Sequence, residues 1–207
     1  MPSLAYSKSV FINCPFDKPY SKLFDAIVFC VMNCGFFPRC ALEPASSSPI
    51  RIDNISSLIE KCKFGVHDLS RTELDKKSKL PRFNMPFELG LFWGAKEFGT
   101  TRQKSKISII MDSKKYRYQK FLSDLAGVDI KPHFNNETIA IREVRNWLYD
   151  NFKNNLIPGS QEINRRYNLY EKDLPEIVKV LKKGKKQDLT FNEKRDVIYE
   201  WMKINVL

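Results

Sequence analysis

The chain has 207 residues, 43% of them hydrophobic and 29% charged. That composition excludes wholesale disorder and leaves room for one ordinary α/β domain with a modest appendage. Lys and Arg number 35 against 24 Asp and Glu, a net charge of +11, which favours polyanionic company: nucleic acid, a nucleotide or an acidic surface.

Residues 9–13 form a short apolar run ended by Pro15, which suits a strand interior to a sheet. Asp17, Pro19 and Ser21 then open a helix whose stripe is Leu23, Ile27, Val28, Val31 and Met32, and Gly35 stops it. Residues 36–42 are expected as a second strand, followed by a loop through Pro44, Ser46, Ser47, Ser48 and Pro49. Ile52, Ile55, Leu58, Ile59 and Cys62 recur at helical spacing, and residues 64–69 read as a third strand with polar residues at its end. A charged loop over 71–82 leads to a helix from Asn84 to about Phe98, with Met85, Leu89, Phe92 and the stem of Lys96 on one face. Residues 105–111 are the cleanest strand in the chain.

Beyond Asp112 a short helix over 118–125, an edge strand over 128–133 and a helix over 137–152 follow. After the joint at Pro158 and Gly159, two helical segments over 161–182 and 191–203 flank the basic run 182–186. Strand–helix alternation implies an α/β fold with a doubly wound, mainly parallel five-stranded sheet in the flavodoxin-like order. Residues 1–157 form the α/β domain in this reading, and 158–207 a helical extension packed on it or mediating assembly.

Five cysteines lie between Cys14 and Cys62, with no Cys-x-x-Cys pair and only two His in the chain. No metal site is expected, and the protein reads as reduced and cytoplasmic. No apolar segment precedes Val10 to serve as a secretory signal, and the longest apolar run, Ala26 to Met32, is too short for a membrane span.

In doubly wound sheets ligands sit outside the carboxyl ends of the strands. Those ends offer Asn13, Cys14, Asp17 and Tyr20 after the first strand, Arg39 and Glu43 around the second, and His67 and Asp68 at the third. Asn84 and Glu88, four apart, share one face of the following helix, at the margin of its apolar stripe. Each has a structural alternative: Glu88 as a helix-start carboxylate paired with a loop cation, Asp68 as a loop cap, Asn13 as a partner for backbone at a turn. Arg39, Arg51, Arg71 and Arg82 are candidates for phosphate contacts, because guanidinium forks match phosphate oxygens. A Cys14–His67 nucleophilic pair is a further option at the same strand ends.

The stretch Val10-Phe11-Ile12-Asn13-Cys14-Pro15-Phe16, the strand ending in Asp68, and Phe87-Glu88-Leu89-Gly90 followed by Lys106 to Met111 resemble nucleoside 2-deoxyribosyltransferases. The related Toll/interleukin-receptor-like NAD-cleaving domains share this architecture. The resemblance covers about residues 9–112; where the transferases carry an Asp-x-Gly-Thr turn, Arg82-Phe83-Asn84-Met85 stands. It implies cleavage of an N-glycosidic bond in NAD or a related nucleotide or nucleoside, with Glu88 and Asp68 catalytic. Asn13, Pro15, Phe16, Asp17, Arg39, Arg71 and Asn84 would then bind substrate. NAD would be substrate rather than cofactor, the protein a homo-oligomer, and its setting bacterial anti-phage defence. Two other functions remain open. One is a non-catalytic nucleotide-sensing or signalling module of the same fold, and the other is nucleic-acid binding through the basic run and its neighbouring helices, where the acids interspersed over 165–203 favour a solvated face instead.

Overall fold

A computed structural model describes residues 5–43, 50–74, 79–152, 156–181 and 186–205. Residues 44–49, expected as a loop, residues 75–78 of the loop expected over 71–82, and residues 182–185 of the basic run lie outside the described residues.

Five strands, β1 (Ser9–Asn13), β2 (Phe37–Arg39), β3 (Phe64–Asp68), β4 (Ile107–Asp112) and β5 (Lys131–Pro132), form one all-parallel sheet in the order β2-β1-β3-β4-β5. The doubly wound fold read from the alternation is present. Every residue of β1 and β3 is buried, as expected when helices cover both faces of a parallel sheet. The pleat divides these residues between two layers. Val10, Ile12, Phe64, Val66, Ile109 and Met111 pack with α1 (Ser21–Asn33) and α5 (Glu137–Phe152). Phe11 turns to the opposite face and joins α2 (Arg51–Glu60) and Phe92 of α3 (Asn84–Phe98). The short α4 (Thr101–Lys104) connects α3 to β4.

Gly65 marks the tightest contact on that second face. A Cβ there would lie 2.6 Å from His67 Nε2 and 2.9 Å from the Phe92 ring, so only glycine lets α3 approach this closely.

The outer strands are shorter than the sequence pattern suggests. β2 keeps only Phe37–Arg39 of the expected 36–42, and β5 only Lys131–Pro132 of the expected 128–133. Both lie at sheet edges with one neighbour each, and Pro38 and Pro132 cannot donate to a ladder. The expected helix at 118–125 is two 3₁₀ turns, Arg117–Lys120 and Ser123–Leu125. Lys96 is exposed rather than packed along the stripe of α3.

The last two helices, α6 (Ser160–Val180) and α7 (Phe191–Ile204), form a third layer on α1. Tyr167, Tyr170, Phe191 and Trp201 belong to the same apolar core as Phe29 and Phe24 of α1. Lys186, the described end of the basic run, is half-buried and held 2.5 Å from Glu171. No helix among the described residues is long and apolar enough to cross a membrane.

Candidate functional site

Parallel strands bring all their carboxyl ends to one edge of the sheet, where the polar residues that follow them converge. At this edge Asp68 and Glu88 point to opposite faces. Asp68 shares the pleat of Phe64 and Val66 and therefore looks toward α1 and α5, whereas Glu88 comes from α3 on the other side. The buried Cys14, at the tip of β1, feels both carboxylates.

Asp68 is fully buried and fully engaged. It accepts hydrogen bonds from the Tyr20 hydroxyl at 2.6 Å and the Ser70 backbone N–H at 2.7 Å, and His133 Nε2 lies 2.9 Å from its Oδ2. His133 Nδ1 accepts from the Asn135 backbone N–H, so its other ring nitrogen carries the proton that faces Asp68. Burial would raise the Asp68 carboxyl, but His133, Ser70 and Tyr20 outweigh it and hold it below its ordinary value. Asp68 is thus an ionised anchor that ties the ends of β1, β3 and β5 together. No hydrogen bond joins it to Glu88.

Asn13 serves the interior too. Its Nδ2 donates to the Met85 carbonyl at 2.8 Å and to His67 Nδ1 at 3.0 Å, fixing the first turn of α3 against β1 and β3. His67, buried against Phe92, is depressed by burial and by Lys106 to about 3 and stays neutral. The Cys14 thiol is pushed well above its ordinary value by burial and by the carboxylates around it. The His67 nitrogen that could serve as a base is occupied by Asn13, so no activated thiol pair forms here.

Glu88 has the opposite environment. Only 6% exposed, it lines a cavity of about 180 Å³ with Arg51, Ile52, Ile55, Asn84 and Phe87. Among the described residues its carboxylate has no hydrogen bond and no ion pair. Burial raises its carboxyl to about 7, against a small opposing effect of Arg51. The cavity sits between the first turns of α2 and α3, which follow β2 and β3 and so lie over the same edge of the sheet. Of its lining residues, Phe87 is exposed.

In comparisons with family models, with curated proteins and with solved structures, nothing matched this chain.

The remaining sequence candidates divide clearly. Asn84 lines the Glu88 cavity from the exposed side. Asp17 caps the turn ahead of α1 by accepting from the Tyr20 backbone N–H, and its carboxylate also meets Arg82 at 3.1 Å and Arg71 at 3.6 Å. This clasp ties the loop after β1 to the loop before α3. Pro15 is buried and Phe16 packs edge-on against Phe24, so both shape the start of α1. Arg39 is committed to Glu43 at 2.6 Å, which Arg195 of α7 also approaches at 3.5 Å.

Four residues at the strand ends are not among the site candidates that the sequence offers: Ser70, Asp112, Ser113 and His133. Asp112 ends β4 as Asp68 ends β3, and Arg117 neutralises it at 2.7 Å. That shared position is the signal that would have found it. His133 was detectable as one of two histidines, standing just past an edge strand. No group of three or more His, Cys, Asp or Glu among the described residues is arranged to hold a metal ion.

Proposed function

We propose that the protein cleaves an N-glycosidic bond in NAD or a related nucleotide or nucleoside, with Glu88 as the carboxylate at the anomeric carbon. The observation that carries this reading is the Glu88 carboxylate itself: buried, with no hydrogen bond or ion pair among the described residues, and lining a cavity. Arg51 on the same cavity only partly offsets the burial of this carboxylate, which makes no ion pair among the described residues. Heterolysis of a glycosidic bond creates a positive group, since the departing base leaves oxocarbenium character on the sugar. The attraction is stronger in the transition state than in the ground state, which is the condition for lowering the barrier.

Two outcomes at the anomeric carbon are open to the ionised group. It stabilises the cation while water attacks, or it forms a glycosyl ester that water or a second base resolves. A nicotinamide ring is cationic in NAD and leaves neutral, so it needs no general acid, whereas an ordinary nucleoside base does. A cationic ring beside Glu88 also lowers its pKa and ionises it, coupling substrate binding to activation. Asn84, on the same cavity, is available to hydrogen-bond the sugar.

A second reading, a non-catalytic nucleotide sensor, is favoured by the saturation of the neighbouring groups. Asn13, Asp68 and Arg39 all spend their polar atoms inside the protein, and about 180 Å³ holds only part of a nucleotide. Incubation with NAD, NADP, nucleosides and nucleotides, read by released base, separates the two. The parent protein is expected to release base from at least one of them and Glu88→Gln from none, with unchanged circular dichroism. Equal release by parent and variant sinks the catalytic role. Tight nucleotide binding without turnover selects the sensor.

A further inference from the structure

On the α1/α5 face of the same sheet edge lies a second concavity of about 450 Å³ that the Glu88 chemistry does not use. Segments following four strands build it: Tyr20 after β1, Ser70 after β3, Ser113 and Lys114 after β4, and Asn135 after β5, with Lys22 from α1. Loops that converge from four strands make a rigidly supported site, unlike a chance surface dent.

Its chemistry is that of an anion site. Ser70 is 5% exposed, yet its hydroxyl has no hydrogen-bond partner among the described residues. A buried hydroxyl left unpaired costs stability unless something else satisfies it. Lys22 and Lys114 make no ion pair among the described residues, and Arg71 on the rim is only loosely held, 3.6 Å from Asp17. Beneath the walls, Asp68 is occupied by Tyr20, Ser70 and His133, and Asp112 Oδ1 is held by Arg117 and the Ser113 N–H while its Oδ2 is buried without a partner among the described residues. Two acids reach the rim, Glu73, which leans 3.7 Å from Arg117, and Glu137. Cations therefore outnumber acids on the walls, and the Leu23 and Tyr20 side chains add an apolar wall suited to an organic group.

We propose that this crevice binds the phosphate of a small phosphomonoester of the nucleotide class, with the Ser70 hydroxyl donating to a phosphate oxygen and Lys22 and Lys114 neutralising its charge. The site lies across the sheet from Glu88 and stands independently of the glycosidase reading.

Calorimetric titration of the full chain with 5′-AMP, inorganic phosphate and adenosine tests it. AMP and phosphate are expected to bind saturably, and adenosine at least tenfold more weakly than AMP. The double variant S70A/K114A is expected to lose at least tenfold in AMP affinity, as removal of one charge-assisted hydrogen bond and one cation requires. It should keep the parent's circular dichroism and melting temperature, because the Ser70 hydroxyl holds nothing in the fold. E88Q is expected to bind AMP as the parent does. Adenosine binding as tightly as AMP, no binding of AMP or phosphate at millimolar concentration, undiminished AMP affinity in S70A/K114A, or an affinity lost in E88Q would each overturn the assignment. Loss of base release with AMP binding intact bears on Glu88 alone.

Discussion

Glu88 carries a cost that the fold does not recover. Its carboxyl moves from an ordinary 4.5 to about 7, so between these values the folded chain binds more protons than the unfolded one. Stability therefore falls as pH rises from about 4.5 to about 7, by up to about 3 kcal/mol at the full shift. Glu88→Gln removes that loss. In urea unfolding at pH 8 the variant is expected to exceed the parent by on the order of 1–3 kcal/mol, and at pH 4.5 the two should nearly coincide. The same difference at both pH values would mean that the carboxyl does not titrate in this range. The activity has the complementary dependence, since an anionic role requires the ionised form. Under the proposed mechanism kcat/KM for base release should climb about tenfold per pH unit below 7 and level off above it. A flat profile across pH 5–8 would contradict an ionised Glu88 at the reacting carbon.

Asn13 shows a second residue-scale principle, that a polar group at a strand end is as often structural as functional. Asn13→Ala strands the Met85 carbonyl and the His67 ring nitrogen, both buried, and is expected to cost about 1–3 kcal/mol. Because those partners position the first turn of α3, the loss should also slow base release by displacing Glu88. Asn13→Asp is no rescue, as it supplies no donor to the carbonyl. A variant as stable as the parent would show that the amide is not needed there.

At the scale of elements, legibility tracked burial. The strands of 9–13 and 64–69 and the helices of 84–98, 137–152 and 191–203 were readable within a residue or two, because their apolar positions recur with the period of the element. β2 and β5 were overextended because an edge strand is set by its single neighbour and by where proline removes a donor, neither of which hydrophobicity reports. The site was readable by type and not by partnership. Glu88 at the core margin, Asp68 at a strand end and Asn84 on the helix face followed from spacing. That Asp68 and Glu88 look to opposite faces depends on sheet register, and His133 reaches Asp68 across 65 residues of chain, a distance no local pattern spans. Helix α7 offers an element-scale check. Thr190 and Glu193 form a reciprocal capping box at its start, and Thr190→Ala is expected to lower stability by about 1 kcal/mol, or a few degrees in Tm.

At the scale of the molecule, α1 decides how the chain must be regarded. Every residue from Leu23 to Asn33 is buried, so past its first two residues the helix has no solvent face, and a helix buried all round requires cover on every side. The sheet and α5 supply part of that cover; α6 and α7 supply the rest through Tyr167, Tyr170 and Trp201 around Phe29. Polar locks fix the layer in place: buried Arg166 donates to Asn33 Oδ1 at 2.8 Å and to the Asn205 carbonyl at 2.6 Å, and Lys194 meets Asp25 at 2.7 Å. A chain ending at residue 158 would expose Phe24, Val28 and Phe29 as one apolar patch, which favours aggregation over a stable monomer. That truncation is expected to be insoluble or to lack a cooperative unfolding transition. The milder Trp201→Ala should cost about 3–5 kcal/mol through the cavity it leaves. A soluble, cooperatively melting 1–158 chain would instead make the last two helices a dispensable appendage, and the aromatic residues on them would then need another purpose.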